Sequence, residues 1–242
     1  MKNILAAKAE SRKQLAVLLD PEKPFHPEMF ANAQPDLIFV GGSTGSDTDS
    51  FIRKLKEQFS IFNFQFSIPI ILFPGNISQF SPQADALLFL SVLSSDNPQL
   101  LTGNHIKVAA AVHQSGIESI PMGYILIDGG KQTSVAQATG SAPLPRTDIK
   151  RIVDTAIAAE LLGKQLVYLE AGSGADIPVS PEIIAAVRKH ISIPLIVGGG
   201  ICSVEQMTAA YNAGADIVVI GNHFESHPDQ LNSFIRNIPR YE

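Results

Sequence analysis

The chain has 242 residues, of which 45% are apolar and 17% are charged, and its net charge is −5. This length suits one large domain or two small ones, and because no linker, repeat or low-complexity tract breaks the chain, we predict a single domain over residues 1–242. The 18 basic and 23 acidic residues form no basic run, which argues against a nucleic-acid partner. A single cysteine, Cys202, excludes an internal disulfide. No apolar run approaches the roughly 20 residues that span a bilayer. We therefore expect a cytoplasmic protein without stable membrane insertion.

Eight apolar runs recur along the chain, and nearly all of them lack internal alternation. In chain order they span residues 14–20, 37–42, 68–73, 85–91, 123–128, 165–171, 194–200 and 216–222. Such runs are typical of strands that are buried on both faces of a parallel sheet. Because helical patterns lie between them, we predict an α/β fold of the TIM (β/α)8 barrel type.

Several of the connecting helices have recognisable ends. Residues 47–59 place their apolar side chains on one helical face, and residues 147–163 form a second predicted helix. Ser180 is the predicted N-cap of a third helix. Ser203 and Gln206 have the spacing of a capping box, in which each side chain satisfies a backbone N–H near the helix start.

The connection between the third and fourth strands is too short for the usual helix. Only the eleven residues PGNISQFSPQA separate Phe73 from Asp85, and two of them are prolines. A parallel crossover needs about a dozen or more residues, usually including a helix. We therefore predict that an extended or irregular segment replaces the third helix.

Glycines end the seventh and eighth strands, at the face of a barrel where active sites lie. The seventh strand leads into GGGI (198–201), and the eighth leads into Gly221 and Asn222. Glycine lets backbone N–H groups approach an anion, and the helix that starts after Ser203 adds a favourable dipole. The alternative is that these glycines only form tight turns. We predict a phosphate site here.

The sixth strand ends with a phenol and a carboxylate. Tyr168 and Glu170 are two residues apart, so both side chains point to the same face. Glu170 is followed by AGSGA, in which Ser173 can face the same phosphate. A carboxylate repels an anion, but it suits the hydroxyls of a polyol attached to that anion, as acceptor or base. The alternative is a glutamate paired with a core lysine.

Polar residues also follow the first two strands. Asp20 ends the first strand and precedes a proline, a common position for a catalytic or metal-binding carboxylate. Ser43 follows the second strand and can bind a cation or an anion. The alternative for both stretches is that they cap the helices that follow.

The motifs LLDPEK, GGS, YLEAGSGA, GGGI and GN occur in this order. On a barrel that lacks its third helix, they resemble those of the geranylgeranylglyceryl phosphate synthases, and the resemblance covers essentially the whole chain. A sister group, the heptaprenylglyceryl phosphate synthases, has nearly the same motifs. Glu22 stands where many members have a second aspartate.

The resemblance implies a prenyltransferase. Enzymes of this family join sn-glycerol 1-phosphate to a long prenyl diphosphate by an ether bond and release diphosphate, with Mg²⁺ required. Geranylgeranyl diphosphate is the expected donor, and the protein is expected to be a homo-oligomer, either a dimer or a hexamer. Asp20 and Ser43 are implied to hold Mg²⁺. The residues implied to hold sn-glycerol 1-phosphate are Tyr168, Leu169, Glu170, Ala171, Gly172, Ser173, Gly174, Gly199, Gly200, Gly221 and Asn222.

This assignment also makes chemical sense. Tyr168 and Glu170 would orient a glycerol hydroxyl, and Glu170 would accept its proton. The prenyl tail needs an apolar groove, and the missing third helix leaves a gap in the outer ring of the barrel. We therefore predict that the tail runs along FPGNISQF (73–80), near the second to fourth strands.

Two other functions share part of this pattern. An isomerase or lyase that acts on a phosphorylated sugar would also use the glycine loops, with Asp20 and Glu170 as a pair that moves protons. A phosphate-binding barrel without catalytic activity would use the glycine loops alone. Because Asp20, Ser43 and Glu170 are all present, the sequence favours catalysis.

Overall fold

The eight predicted strands form a closed parallel barrel in a computed structural model of the chain. Each strand pairs with the next one in sequence, and β8 pairs with β1. The structure describes residues 1–31, 33–42, 47–61, 68–131, 137 and 140–239. The strands are β1 Gln14–Leu19, β2 Leu37–Val40, β3 Ile70–Leu72, β4 Ala86–Val92, β5 Glu118–Leu126, β6 Leu166–Glu170, β7 Leu195–Gly198 and β8 Ile217–Ile220. The predicted barrel is therefore confirmed.

The barrel has two apolar layers, which explains why its strands lack alternation. On β6, Leu166 and Tyr168 point into the barrel, whereas Val167 and Leu169 point out toward the helices. All four side chains are completely buried. Both faces of the strand are thus shielded from water, as the apolar runs predict.

The described helices surround the strands, and short turns supplement them. They are α1 Lys2–Ala9, α2 Thr48–Ile61, α3 Asn104–Ser115, α4 Ile149–Leu161, α5 Pro181–Arg188, α6 Val204–Asn212, α7 Asn222–Ser226 and α8 Leu231–Arg236. Ser180 caps α5, as predicted, by accepting a hydrogen bond from the Ile183 N–H. In the described part of the chain, no helix is both long and apolar enough to cross a bilayer.

The capping box predicted at Ser203 forms only in part. Ser203 Oγ accepts the Gln206 N–H at 3.3 Å, which confirms the N-cap of α6. The side chain of Gln206 accepts the N–H of Cys202, one residue before the cap, at 2.8 Å. In a complete capping box the Gln206 side chain would accept the N–H of Ser203, but here it accepts the N–H of the preceding residue.

The third helix is replaced as predicted. All residues between β3 and β4 are described, and the regular structure there is one short 3₁₀ turn, Ile77–Gln79. We call residues 73–80 the third-helix segment. The outer ring of the barrel is therefore thin at this point, beside the carboxyl ends of β2, β3 and β4.

Helix α1 lies against the opposite end of the barrel. Ile4 is 2% exposed and packs with the residues of the barrel interior. The amino group of Met1 forms an ion pair of 2.9 Å with Glu118, at the start of β5. This packing covers the amino ends of the strands, so a ligand has to enter from the carboxyl ends.

Candidate active site

A cavity of about 680 Å³ opens at the carboxyl ends of the strands. Its two parts differ in chemistry. One part, the polar pocket, is lined by Asp20, Glu170, Ser173, Gly199, Gly200, Gly221 and Asn222. The other part, the apolar arm, is lined mainly by Ile77, Phe80, Phe89, Leu100 and Val108. A single cavity therefore joins a polar end to an apolar end.

Glu170 is the buried carboxylate of the polar pocket. Its side chain is 5% exposed, and its Oε1 accepts the Gly172 N–H at 2.6 Å. The Tyr168 hydroxyl donates a second hydrogen bond to it. These partners are a phenol and a backbone amide rather than the core lysine of the alternative interpretation. Burial raises the pKa of Glu170 above its ordinary value, and the two hydrogen bonds only partly oppose this shift.

The loop after β7 fits closely around Glu170. Gly199 and Gly200 have φ angles of +83° and +72°, in the region that favours glycine. A Cβ atom at Gly199 would overlap Glu170 Oε1 and would lie 2.6 Å from the Gly172 nitrogen. A glycine is therefore required here by its conformation and by the close approach of the β6 loop.

The loops after β6 and β8 also meet at this pocket. Ser173 Oγ donates a hydrogen bond to Asn222 Oδ1 at 3.0 Å. A Cβ atom at Gly174 would lie 3.3 Å from Asn222 Nδ2. Asn222 is also the first residue of α7, and Gly221 precedes it. The structure thus brings the glycine-rich ends of β6, β7 and β8 together, as the sequence predicts.

Three of the residues predicted to bind glycerol phosphate do not direct a side chain into the pocket. Leu169 and Ala171 are buried in the outer apolar layer, between the strands and the helices. Their side chains face away from the pocket, so only their backbone atoms are available to a ligand. Gly172 directs its N–H to Glu170.

Asp20 lies on the wall of the polar pocket, at the end of β1. Its Oδ1 accepts the Glu22 N–H at 3.0 Å, and a Cβ atom at Gly42 would lie 2.6 Å from the same oxygen. Ser43, the other predicted metal ligand, lies outside the described residues. Within the described ranges, no group of three or more His, Cys, Asp or Glu side chains could hold a metal. One carboxylate nevertheless fits Mg²⁺, which is commonly bound through one or two carboxylates, waters and substrate phosphates.

Tyr124 is a residue of the pocket that was not predicted from the sequence, and it pairs in register with Tyr168. Its hydroxyl is buried and has no hydrogen-bond partner among the described residues. Its ring lies 5.5 Å from that of Tyr168 and also lines the cavity. Burial, followed by the charge of Glu170, raises the pKa of Tyr124 well above its ordinary value. The neutral hydroxyl can donate a hydrogen bond to a polar ligand. The signal for this residue in the sequence was a tyrosine within the mainly apolar run 123–128.

The apolar arm follows the predicted path. Ile77 and Phe80, on the third-helix segment, form one wall. Phe89 of β4 and Val108 of α3 also line the arm. The thin part of the outer ring is therefore the place where the cavity becomes apolar. That a prenyl tail occupies it stays a prediction.

A closed (β/α)8 barrel with a polar cavity at the carboxyl ends of its strands has the architecture of a TIM-barrel enzyme. The chain belongs to the PcrB family, whose model matches residues 8–238.

Several similar proteins are named geranylgeranylglyceryl phosphate synthase. The one from Zunongwangia profunda is 45% identical over 229 residues, which cover 92% of this chain and 95% of the relative. The one from Thermococcus gammatolerans is 44% identical over 227 residues, which cover 90% and 86%. The resemblance inferred from the motifs is therefore confirmed.

A similar solved structure comes from Thermoplasma acidophilum. It is (S)-3-O-geranylgeranylglyceryl phosphate synthase in complex with its substrate sn-glycerol-1-phosphate. The TM-score is 0.84 at 34% identity, and the match covers 98% of this chain and 97% of that one. The likeness thus extends over the whole barrel.

Proposed function

We propose that this protein is a prenyltransferase. It forms an ether bond between sn-glycerol 1-phosphate and a long-chain prenyl diphosphate, geranylgeranyl diphosphate, and it releases diphosphate. The observation that carries this proposal is the single cavity that joins the polar pocket around Glu170 to the apolar arm. The names of the relatives and the ligand of the Thermoplasma acidophilum structure support it.

The glycerol phosphate occupies the polar pocket. The glycine-rich loops after β6, β7 and β8 present backbone N–H groups to its phosphate. Its hydroxyls lie toward Glu170, because a carboxylate attracts hydroxyl donors and repels the phosphate. The phosphate and the hydroxyls are thus oriented before the second substrate reacts, which makes the attack effectively intramolecular.

Ether formation then needs one proton acceptor. The oxygen of a glycerol hydroxyl forms a bond to the first carbon of the prenyl group. The bond from that carbon to the diphosphate oxygen breaks, and its electron pair leaves with diphosphate. Glu170 accepts the hydroxyl proton, and its raised pKa makes it a stronger base than an exposed carboxylate. The Tyr168 hydroxyl holds the carboxylate in place.

Asp20 is the residue that would hold Mg²⁺, and Ser43 stays the second predicted ligand. When bound, Mg²⁺ neutralises charge on the oxygens of the leaving diphosphate. The partial exposure of Asp20 at the pocket wall leaves it accessible to such an ion. The predicted homo-oligomer, a dimer or a hexamer, stays a prediction that analytical ultracentrifugation would test.

A product assay tests the proposed function. Purified protein is incubated with Mg²⁺ and geranylgeranyl diphosphate, with sn-glycerol 1-phosphate or sn-glycerol 3-phosphate in parallel. We expect an extractable prenylglyceryl phosphate from the 1-phosphate alone, and no product when Mg²⁺ is chelated. The absence of product with either acceptor, over donors from C15 to C35, would support the phosphosugar isomerase instead.

The apolar arm makes a separate prediction about donor length. Ile77→Trp and Phe80→Trp each add volume to the wall of the arm, so we expect both variants to prefer shorter donors than the wild type. Relative kcat/KM over a donor series measures this preference. Ile106→Trp is a suitable control, because Ile106 is 75% exposed on α3. If the arm variants keep the wild-type preference, the tail lies elsewhere.

A further inference from the structure

Gln79 is the last residue of the short turn in the third-helix segment, and its side chain is completely buried. Its Oε1 accepts the Gly75 N–H at 2.6 Å, and its Nε2 donates to the Gly42 carbonyl at 3.1 Å. The first bond is local and stabilises the start of the turn Ile77–Gln79. The second bond joins residues that are 37 positions apart and ties this turn to the loop after β2.

Gly41 and Gly42, which follow β2, have little space around them where Gln79 holds the backbone. A Cβ atom at Gly41 would overlap the Phe73 carbonyl, and one at Gly42 would lie 2.6 Å from Asp20 Oδ1. The backbone is therefore packed directly between the ends of β1 and β3. Because Gly41 and Gly42 have no side chain to anchor them, hydrogen bonds of the backbone hold them in position.

Gln206 of α6 has the same position relative to its N-cap as Gln79, so it shows which hydrogen bond capping alone requires. Gln206 also lies three residues after its N-cap, and its Oε1 accepts the Cys202 N–H. Gln79 makes the same type of bond to Gly75 and adds the bond to Gly42. Capping of the short turn therefore explains the bond to Gln79 Oε1, but it does not explain the bond from Gln79 Nε2 to Gly42.

We propose that Gln79 is a positioning residue for both parts of the cavity. It holds Gly42, and with it the Asp20 edge of the polar pocket, at a set distance from the wall formed by Ile77 and Phe80. This inference rests on the proposed function, in which the diphosphate binds near Asp20 and the prenyl tail binds in the apolar arm. One substrate then contacts both places, so a shift between them moves its reactive carbon away from the attacking hydroxyl.

Gln79→Met tests this role, because methionine has a similar length and makes neither hydrogen bond. We expect faster amide hydrogen exchange at Gly75 and at the end of β2. Calorimetric titration with Mg²⁺ and inorganic diphosphate should show binding about tenfold weaker, the size expected when a buried polar group loses its partner. The KM for the prenyl diphosphate should rise, whereas the affinity for sn-glycerol 1-phosphate should stay unchanged.

Gln79→Glu separates the two bonds. Burial favours the protonated carboxyl, which can donate to the Gly42 carbonyl, whereas the ionised form accepts the Gly75 N–H and offers no proton to Gly42, so diphosphate binding is compared with that of the wild type over a series of rising pH. We expect exchange at the Gly75 amide to stay close to that of the wild type, and diphosphate binding, relative to the wild type at the same pH, to weaken as the carboxyl ionises. Wild-type diphosphate binding at every pH of the series would mean that the bond to Gly42 has no positioning role.

Ser81→Ala is the matched control for a loss of stability. Ser81 is completely buried next to the same segment, and its hydroxyl donates to Asp49 of α2 at 2.6 Å. We expect this variant to have a lower Tm and unchanged diphosphate binding. If it weakens diphosphate binding as much as Gln79→Met does at a similar Tm, the positioning role is overturned. Unchanged exchange at the end of β2 in Gln79→Met would overturn it as well. A wild-type protein that forms no product would instead overturn the proposed function.

Discussion

Replacing Glu170 by glutamine is expected to lower kcat by about 10²–10⁴-fold, the range typical for the loss of a general base. The amide has nearly the same shape and can still accept the Gly172 N–H, so the fold should persist. In the wild type, kcat/KM should fall as the pH falls through the pKa of Glu170, because the protonated carboxyl accepts no proton. This acid limb should lie above the ordinary value of 4.5, since burial raises that pKa. Initial rates measured over a pH series check both results. A variant with wild-type kcat would exclude Glu170 as the base.

The same substitution should change how stability depends on pH. Because the pKa of Glu170 is higher in the folded state, its favourable contribution is present below 4.5 and is lost as the pH rises through the folded pKa. Glutamine has no charge to bury. The free energy of unfolding of Glu170→Gln, relative to the wild type, should therefore increase as the pH rises from 4.5. Urea unfolding at several pH values measures this difference, and a constant difference would contradict the prediction.

Glu160→Gln is a control with the opposite sign. A hydrogen bond from the Ser192 side chain holds the pKa of Glu160 below its ordinary value of 4.5. Its contribution is present above 4.5 and is lost as the pH falls through the lowered pKa. This variant should therefore lose stability relative to the wild type at neutral pH, and the loss should shrink only below pH 4.5. Its kcat should stay unchanged, because Glu160 lies in α4, outside the cavity.

Gly199→Ala is expected to abolish most of the activity and to destabilise the fold. A Cβ atom there would overlap Glu170 Oε1 and would lie 2.6 Å and 2.9 Å from the nitrogens of Gly172 and Ala171. Two of these contacts are with backbone, which cannot simply move aside. We expect these contacts and the positive φ together to lower the free energy of unfolding by about 3 kcal/mol or more. Displacement of Glu170 should lower kcat by about 10²-fold, as misplacing a catalytic group does.

Gly163→Ala separates backbone strain from the overlap with Glu170. Gly163 has a φ of +77°, close to that of Gly199, but beyond its chain neighbours no atom of a described residue lies within 4 Å of an added Cβ. We expect this variant to lose about 1–2 kcal/mol of stability, the cost of a left-handed conformation for an L-residue, and to keep its kcat. Urea unfolding and initial rates measure both variants. If Gly199→Ala behaves like Gly163→Ala, the position of Glu170 is not critical.

The strands and the main parts of the polar pocket were predictable, because local patterns encode them. Continuous apolar runs predict strands that are buried on both faces, and the structure confirms this on β6. The spacing of two residues between Tyr168 and Glu170 places both side chains on the inner face. The eleven residues between Phe73 and Asp85 are too few for a crossover helix, so the missing third helix was also predictable. These features depend on period, spacing and chain length, which are properties of the sequence itself.

Other features depended on distances between parts of the chain that are far apart in sequence. Burial, and hence the raised pKa, of Glu170 requires the β7 loop to pack against it. Among the described residues the Tyr124 hydroxyl has no hydrogen-bond partner, and this depends on which side chains the barrel places around it. The bond from Gln79 to Gly42 joins two loops that no periodic pattern relates. The sequence thus determined which residues end each strand and which face they occupy. The tertiary structure decided their burial and their partners, because pKa values and hydrogen bonds depend on distances in space.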